Sequence, residues 1–214
     1  MQLAEEAGLI QEIGNWVMGV AFAQARRWHE KGFKNMRLAI NLAAGQFRAT
    51  NLLERIKDCL GREKCRPECI EIEITETSML HDPDGVGGIL KALRELGLRV
   101  AIDDFGTGFS SLSHLKRFPI DTLKIDKTFV SDILHDREDA AIVSAIIAMA
   151  RALDMEVIAE GVETEAQLAL LAEQGCDAYQ GYLFSGALPI AGFDAMLERH
   201  HRTHDTEAAE VKRR

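Results

Sequence analysis

The sequence predicts an α/β fold of the (β/α)8 type, a TIM-like barrel that is incomplete. Three observations carry this prediction. Short apolar segments typical of buried strands alternate with amphipathic helical segments along the chain, as in parallel sheets with crossover helices. Polar side chains stand at the ends of six successive strands, which is typical of a barrel mouth and less so of an open sheet with one switch point. About six strand-helix units are present, fewer than the eight that closure needs.

The predicted elements follow in a regular order. Residues 2–32 have apolar side chains at helical spacing. Six strands follow, each with a helical segment behind it, at residues 37–42, 69–75, 99–104, 122–126, 156–162 and 178–184. We expect the first strands of the barrel to be missing in front of Met1. Residues 1–199 are assigned to the barrel domain, and residues 200–214, which have no apolar face, to a charged, disordered tail.

Composition narrows the functional classes. The chain has 214 residues, of which 47% are hydrophobic, which is ample for one globular domain. The formal net charge of −9 argues against binding a nucleic-acid polymer. No apolar run approaches the roughly 18 residues of a membrane span, and Glu5 and Glu6 stand where a signal peptide would carry positive charge. The chain has four cysteines and no CxxC pair, which is typical of free thiols in a reducing compartment.

Acidic side chains gather at the predicted strand ends. Glu73, Asp103, Asp104 and Glu160 occupy such positions, with Lys124 as a cation among them. Isolated acids at strand ends are most often helix caps or solvated groups, but several buried carboxylates together need a cation. Carboxylate and amide oxygens suit Mg²⁺ or Mn²⁺, and two such ions about 3.5–4 Å apart can grip a phosphodiester. Mg²⁺-dependent enolate chemistry, or a Schiff-base aldolase using Lys124, would also fit these residues.

Longer motifs carry a resemblance to a known family. The chain contains "LAEEAGLI", "NLAAGQF", "EIEITET", "AIDDFGTGFSSLSHLKRFPIDTLKIDKTFV", "VIAEGVETEAQL" and "GCDAYQGYLFSGALP". Their order and spacing resemble those of an EAL domain over nearly all of residues 3–197, which is far more specific than one short pattern. The resemblance implies metal-dependent hydrolysis of the bacterial second messenger cyclic di-GMP to linear pGpG, with a two-ion site for Mg²⁺ or Mn²⁺.

The resemblance also implies roles for individual residues. Asn41, Glu73 and Asp103 resemble the ligands of a first metal, and Asp103 and Asp104 those of a second. Lys124 is similar to the lysine that orients the water, and Glu160 to the acid that acts as general base. Gln180 resembles a glutamine that helps to hold the hydrolytic assembly. The remaining assignments are Glu76 as the anchor of the loop after the paired aspartates, Asp126 as a polar support near the second metal, and Phe105, Gly106, Thr107, Gly108 and Phe109 as a regulatory loop that couples dimer contacts to metal binding.

The chain also departs from the family pattern. The Glu-Ala-Leu signature, whose glutamate binds the first metal, has no counterpart, so the resemblance is to an N-terminally truncated EAL domain. An alternative function is therefore a non-catalytic cyclic di-GMP-binding or dimerising signalling module. The partners implied are cyclic di-GMP, a second copy in a homodimer, and adjoining sensory or GGDEF domains. The implied location is the bacterial cytoplasm, with no membrane segment in this chain.

Overall fold

Six parallel strands form one sheet in which every strand pairs with its neighbour in the sequence. A computed structural model describes residues 9–47, 49, 51–79, 83–108 and 112–211. Within these residues the strand order is β1-β2-β3-β4-β5-β6, which leaves β1 and β6 at the edges. The strands are β1 (Leu38–Asn41), β2 (Ile70–Thr75), β3 (Arg99–Phe105), β4 (Thr122–Ile125), β5 (Glu156–Glu160) and β6 (Ala178–Gln180).

Helices precede the sheet and connect its strands. They are α1 (Ile10–Glu30), α2 (Ala44–Phe47), α3 (Leu52–Glu63), α4 (Pro83–Glu95), α5 (Leu112–Arg117), α6 (Lys127–Ser131), α7 (Arg137–Ala152), α8 (Glu165–Gln174) and α9 (Ile190–Val211). Two 3₁₀ turns, Pro67–Cys69 and Glu76–Met79, flank β2. None of the helices in the described ranges combines the length and apolarity that a membrane crossing requires.

Strand β2 shows how the two faces of the sheet differ. Ile70, Ile72 and Ile74 are fully buried, and so, at 4% exposure each, are Glu71 and Glu73 between them. Successive side chains of a strand point to opposite faces. The isoleucines therefore belong to the apolar core, whereas the glutamates lie on the inner face of the curved sheet. The inner face is thus polar although it is buried, and its charges need partners.

The helices from the two ends of the chain meet, although β1 and β6 do not pair. The Trp28 indole of α1 donates a hydrogen bond to Asp194 Oδ1 of α9 at 2.6 Å, and the Trp28 and Phe193 ring centroids are 5.1 Å apart. Lys31 Nζ lies 3.3 Å from Asp194 Oδ2. The helical layer therefore curves round toward itself, as it does in a (β/α)8 barrel.

The predicted fold class is confirmed, because the six parallel strands form a half-barrel with helices between them. Strands β5 and β6 end two and four residues earlier than predicted, at Glu160 and Gln180, whereas the other predicted strand ends agree with the structure within one residue. Directly after β5, Gly161 turns the chain with a φ of +69°, which ends the strand. A glycine takes such a φ at little cost.

The C-terminal region differs from the prediction. Helix α9 continues to Val211, so residues 200–211 are helical where we expected a segment without structure. The expectation rested on the missing apolar face, but an apolar face determines whether a helix packs against the rest of the protein and not whether it can form. The segment contains no Gly or Pro, so nothing in it ends the helix that begins before it. The domain boundary at residue 199 stays a prediction, and residues 1–8 of the predicted first helix lie outside the described ranges.

Candidate functional site

The parallel register brings the carboxyl ends of the strands together on the inner face. Asn41 of β1 lies opposite Glu73 of β2, and Glu160 of β5 lies opposite Gln180 of β6. Asp103 lies two residues beyond the partner of Glu73 in β3. Because paired residues share a face and alternate residues along a strand do as well, one end of the inner face collects these side chains. We call Glu73, Asp103, Asp104 and Glu160 the acid cluster.

Lys124 of β4 lies at the centre of this end and contacts three carboxylates from three other strands. Its Nζ is 2.9 Å from Glu73 Oε1, 3.0 Å from Asp103 Oδ1 and 2.6 Å from Glu160 Oε1. Burial alone lowers the pKa of Lys124, but the charge of Glu73 and the hydrogen bonds to Glu160 and Glu73 outweigh burial and raise the pKa above its ordinary value. Lys124 is therefore a cation at neutral pH.

A β-bulge in β3 explains how adjacent aspartates reach the same site. Ile102 pairs with Leu123 and Phe105 with Ile125, so β3 has one residue more than β4 between these pairs. Neighbouring side chains of a regular strand point to opposite faces, and an extra residue re-aims one of them. Asp104 has a φ of +54° at this point. As a result, one carboxylate oxygen each of Asp103, Asp104 and Glu160 lie within 4.8 Å of one another.

Asp104 and Asp126 interact through their side chains, and this interaction moves their pKa values in opposite directions. Burial and the charge of Asp103 raise the pKa of Asp104. Burial acts to raise the pKa of Asp126 as well, but hydrogen bonds from Thr128 outweigh it and lower that pKa. One of these bonds is donated by the Thr128 backbone N–H to Asp126 Oδ1 at 2.8 Å, because Asp126 is the N-cap of α6. The structure therefore places Asp126 beside Asp104, at the edge of the acid cluster.

Glu76 holds the backbone of the loop that follows β3. Its Oε2 accepts hydrogen bonds from the N–H groups of Gly106 at 3.0 Å and Gly108 at 3.3 Å, and the residue is 1% exposed. A Cβ on Gly108 would lie 2.9 Å from the Glu76 carboxyl carbon, and Gly106 has a φ of +100°. A residue with a side chain would clash with Glu76 at position 108 and would be strained by the positive φ at position 106. The two glycines therefore allow the loop to approach the Glu76 carboxylate closely.

The rest of the predicted regulatory loop is partly described. Phe105 ends β3 and is buried. The hydroxyl of Thr107 donates to the backbone carbonyl of Asp104 at 2.9 Å, which ties the loop to the bulge. Phe109 lies outside the described residues. The regulatory role of the loop stays a prediction.

Asn41 and Gln180 lie on the two edge strands and are both exposed. Within the described part of the chain, neither side chain has a hydrogen bond to the acid cluster. Gln180 lines a cavity of about 330 Å³ together with Glu160 and Lys127. The predicted roles of Asn41 as a metal ligand and of Gln180 in holding the assembly therefore stay predictions.

The opposite end of the inner face carries ionic contacts that our sequence analysis did not include. Both terminal nitrogens of Arg37 donate hydrogen bonds to the carboxylate of Glu156, each at 2.6 Å. Arg99 contacts Glu71 Oε2 at 3.1 Å and Glu156 Oε2 at 3.0 Å. We call Arg37, Glu71, Arg99 and Glu156 the lower ion cluster. Strand alternation offered a signal for part of it, because Glu71 precedes Glu73 by two residues and so shares its face.

The two clusters differ in charge balance. In the lower ion cluster, two guanidinium groups face two carboxylates. In the acid cluster, four carboxylates face the single ammonium of Lys124. Burial raises the pKa of Glu73, although Lys124 opposes the effect, so the negative charge of the cluster is electrostatically unfavourable. A divalent cation would offset this unfavourable energy. The convergent carboxylate oxygens of Asp103, Asp104 and Glu160 are the donors that hard ions prefer.

Comparison with known proteins identifies relatives of the chain. The family model described as "EAL domain" matches residues 1–187. The signaling protein YkoW of Bacillus subtilis is 47% identical over 195 residues, which cover 91% of this chain and 24% of YkoW. The chain spans about a quarter of the length of the curated relatives it matches.

Solved structures agree with these matches. A structure of the PaMucR phosphodiesterase in complex with c-di-GMP superposes with a TM-score of 0.88 at 43% identity, covering 90% of this chain and 78% of that one. A manganese and c-di-GMP complex of BlrP1 from Klebsiella pneumoniae has a TM-score of 0.72 at 34% identity, covering 81% of this chain and 44% of that one.

Proposed function

This chain belongs to the EAL domain family, and we propose that it is a metal-dependent phosphodiesterase that hydrolyses cyclic di-GMP to linear pGpG. The observation that carries the proposal is the acid cluster, in which carboxylates from β2, β3 and β5 converge on one buried lysine with too little positive charge to balance them. The PaMucR and BlrP1 structures were solved with c-di-GMP bound, which supports the choice of substrate.

Divalent metal fits the residues that are present. Asp103, Asp104 and Glu160 offer oxygens within 4.8 Å of one another, and Glu73 and Asn41 extend the set toward β1. We assign Asn41, Glu73 and Asp103 to one ion and Asp103 and Asp104 to a second, with Mg²⁺ or Mn²⁺ as the ions. When bound, such a pair supplies Lewis-acid stabilisation of the charge that develops on the phosphodiester.

Different residues of the chain then carry out proton transfer and position the reacting groups. Water adds to phosphorus, the bond from phosphorus to the ribose O3′ breaks, O3′ takes a proton from solvent to become a hydroxyl, and the product keeps a 5′ phosphate. Glu160 accepts the proton of the attacking water, because its carboxylate belongs to the acid cluster and 17% of its side chain stays exposed to solvent. Lys124 fixes the carboxylate of Glu160 at 2.6 Å and orients the water beside it. Gln180, next to Glu160 in the register, steadies this assembly.

Supporting roles follow from the contacts around the cluster. Glu76 anchors the loop of residues 105–109 and Asp126 supports Asp104, so movement of the loop reaches the aspartates through the bulge. That coupling suits a regulatory loop that responds to contacts in a homodimer. The relatives are much longer than this chain, which supports adjoining sensory or GGDEF domains. We place the protein in the bacterial cytoplasm, where cyclic di-GMP is made and consumed.

A second candidate is a nucleotide-binding module without turnover. The observation that favours it is the exposed position of Asn41 on an edge strand, where its amide has no hydrogen bond to the acid cluster within the described residues. Loss of one ligand from a compact ion site weakens metal binding and with it catalysis. Such a module would retain affinity for cyclic di-GMP but not hydrolyse it.

The decisive experiment is incubation with cyclic di-GMP and Mn²⁺ or Mg²⁺, with chromatography of the products. We expect linear pGpG from the wild type, at least a hundredfold less from Glu160→Gln because a general base contributes about 10²–10⁴ in rate, and wild-type rates from Glu173→Gln, an exposed control on α8. Binding of cyclic di-GMP by calorimetry without any pGpG at high enzyme concentration would establish the second candidate instead.

A further inference from the structure

A buried glutamine at the start of α8 joins the turn after β5 to α6. Gln167 is 6% exposed. Its Oε1 accepts hydrogen bonds from the backbone N–H groups of Glu163 at 2.9 Å and Thr164 at 3.0 Å. Its Nε2 donates to the backbone carbonyls of Val130 at 3.1 Å and Ser131 at 3.2 Å, at the end of α6. The carboxamide therefore links the two segments with four hydrogen bonds.

Capping of α8 does not by itself require a glutamine at this position. Thr164 and Gln167 form a capping box, in which the Thr164 hydroxyl accepts from the Gln167 N–H at 3.2 Å and the Gln167 side chain accepts from the Thr164 N–H. Glutamate serves this motif as well as glutamine does, because the motif uses the side chain only as an acceptor. The bonds to α6 need the two N–H donors of the amide, which a carboxylate lacks. The amide therefore matches the contact with α6 as well as the cap.

Helix α6 meets the turn after β5 at both of its ends. At its first residue, a Cβ on Gly161 would lie 2.6 Å from Lys127 Cβ, so the turn and the helix are in close contact. At its last residues, α6 is held by Gln167. Glu160 directly precedes Gly161, and Asp126 directly precedes Lys127. The position of α6 against this turn therefore sets the spacing of Glu160 and Asp126.

This spacing affects the carboxylates of the acid cluster. Asp126 caps α6 through the Thr128 N–H, and its side chain interacts with that of Asp104. Asp104 and Glu160 offer two of the three carboxylate oxygens that lie within 4.8 Å of one another. A shift of α6 relative to the turn would therefore change the separation of these two carboxylates. Loss of a residue that orients metal ligands from outside typically costs about 10–100-fold in metal affinity or activity.

We propose that Gln167 is a positioning residue, which sets the distance between Glu160 and Asp104 by fixing α6 against the turn after β5. Because it concerns the same ion site, this role rests on the proposed function. Gln167 acts at a distance, on Glu160 through the backbone of residues 160–164 and on Asp104 through α6 and its cap Asp126.

Two substitutions separate the link to α6 from the cap of α8. Gln167→Glu keeps the acceptor for the N–H groups of the turn but places a carboxylate against the carbonyls at the end of α6, which breaks the link. Gln167→Met has a similar length and removes both sets of hydrogen bonds. The matched control is Thr164→Ala, which removes the hydroxyl that caps α8 and keeps the Gln167 side chain. Gln167→Asn, whose amide is one methylene too short to span both segments, replaces either Gln167 variant if that variant does not fold.

The test is calorimetric titration of Mn²⁺ into the full chain without nucleotide, followed by measurement of pGpG formation at saturating Mn²⁺. We expect Gln167→Glu and Gln167→Met to raise the Kd for Mn²⁺ about tenfold, at the lower end of such effects. We expect both to slow pGpG formation by at least about tenfold, because reacting groups that are misplaced by 1 Å can lose about a hundredfold in rate. Thr164→Ala should leave both quantities unchanged although its Tm falls, and circular dichroism shows that each variant is folded at the temperature of the assay.

The outcomes separate this inference from the proposed function. If Gln167→Glu binds Mn²⁺ as tightly as the wild type, or if Thr164→Ala loses as much affinity as the Gln167 variants, the positioning role is overturned, whatever the rate of hydrolysis. If the wild type binds Mn²⁺ more tightly than Gln167→Glu as expected and produces no pGpG, the positioning role stands and the phosphodiesterase proposal fails. If the wild type binds no Mn²⁺, both proposals are contradicted.

Discussion

Removal of the positive charge from Lys124 tests whether the acid cluster requires a cation. Lys124→Met keeps a chain of similar length and leaves three carboxylates, which lie 2.6–3.0 Å from the Lys124 Nζ in the wild type, without their common partner. Breaking a buried ion pair by removing one partner costs about 3–5 kcal/mol. For a chain of this size, 1 kcal/mol corresponds to about 2–4 °C in Tm, so we expect Tm to fall by about 10 °C in metal-free buffer.

Divalent metal should reverse most of this loss. Mn²⁺ supplies the charge that the variant lacks, and ligand at about 100 times its Kd adds about 2.7 kcal/mol of stability. The variant is expected to gain more from Mn²⁺ than the wild type does, because no ammonium competes for the carboxylate oxygens. Differential scanning calorimetry with and without Mn²⁺ measures both effects, and Lys91→Met serves as a matched control with an exposed ion pair. A metal-free Tm within 2 °C of wild type, or a loss that Mn²⁺ leaves unchanged, would refute the reasoning.

Three further predictions concern the surroundings of the site. The hydrogen bond from Arg37 lowers the pKa of Glu156 below its ordinary 4.5. This contact therefore stabilises the fold above pH 4.5, and its contribution is lost as the pH falls through the lowered pKa. Urea unfolding of Arg37→Met should show a deficit of about 1 kcal/mol at pH 7 that shrinks as the pH falls below 4.5, and a deficit that stays constant with pH would contradict it. Gly106→Ala should cost about 1–3 kcal/mol of unfolding free energy, because its φ of +100° and the Phe129 ring 2.7 Å from a Cβ exclude a side chain. Gly88→Ala, with open space around it in α4, should instead raise the unfolding free energy by about 1 kcal/mol in the same urea titration. Chelation with EDTA should abolish pGpG formation and Mn²⁺ should restore it, and turnover that persists in EDTA would exclude a metal-dependent mechanism.

The strand order and the convergence of the acids were accessible from the sequence for a physical reason. Alternating strands and helices force parallel pairing, and parallel pairing carries every strand end to one side. Glu73, Asp103 and Glu160 are therefore neighbours in any fold of this class. The central position of Lys124 follows in the same way, since β4 lies between β3 and β5.

Other features depend on details that strand patterns do not contain. The bulge at Asp103 and Asp104 is a register difference of one residue against β4, and periodicity alone does not reveal it. The pairing of Arg37 with Glu156 joins residues 119 apart across the inner face, so it depends on how far the sheet curves. The cavity around Lys127 depends on close glycine contacts between the ends of β5 and β6. Each of these is set by tertiary geometry.

The most direct measurement of the central claim is anomalous diffraction from crystals of the protein grown with saturating Mn²⁺. The account predicts two anomalous peaks about 3.5–4 Å apart. The Asp103 carboxylate should lie within coordination distance of both peaks, and the Asp104 carboxylate within coordination distance of one. Absence of any anomalous peak within coordination distance of Asp103, Asp104 and Glu160 would contradict it.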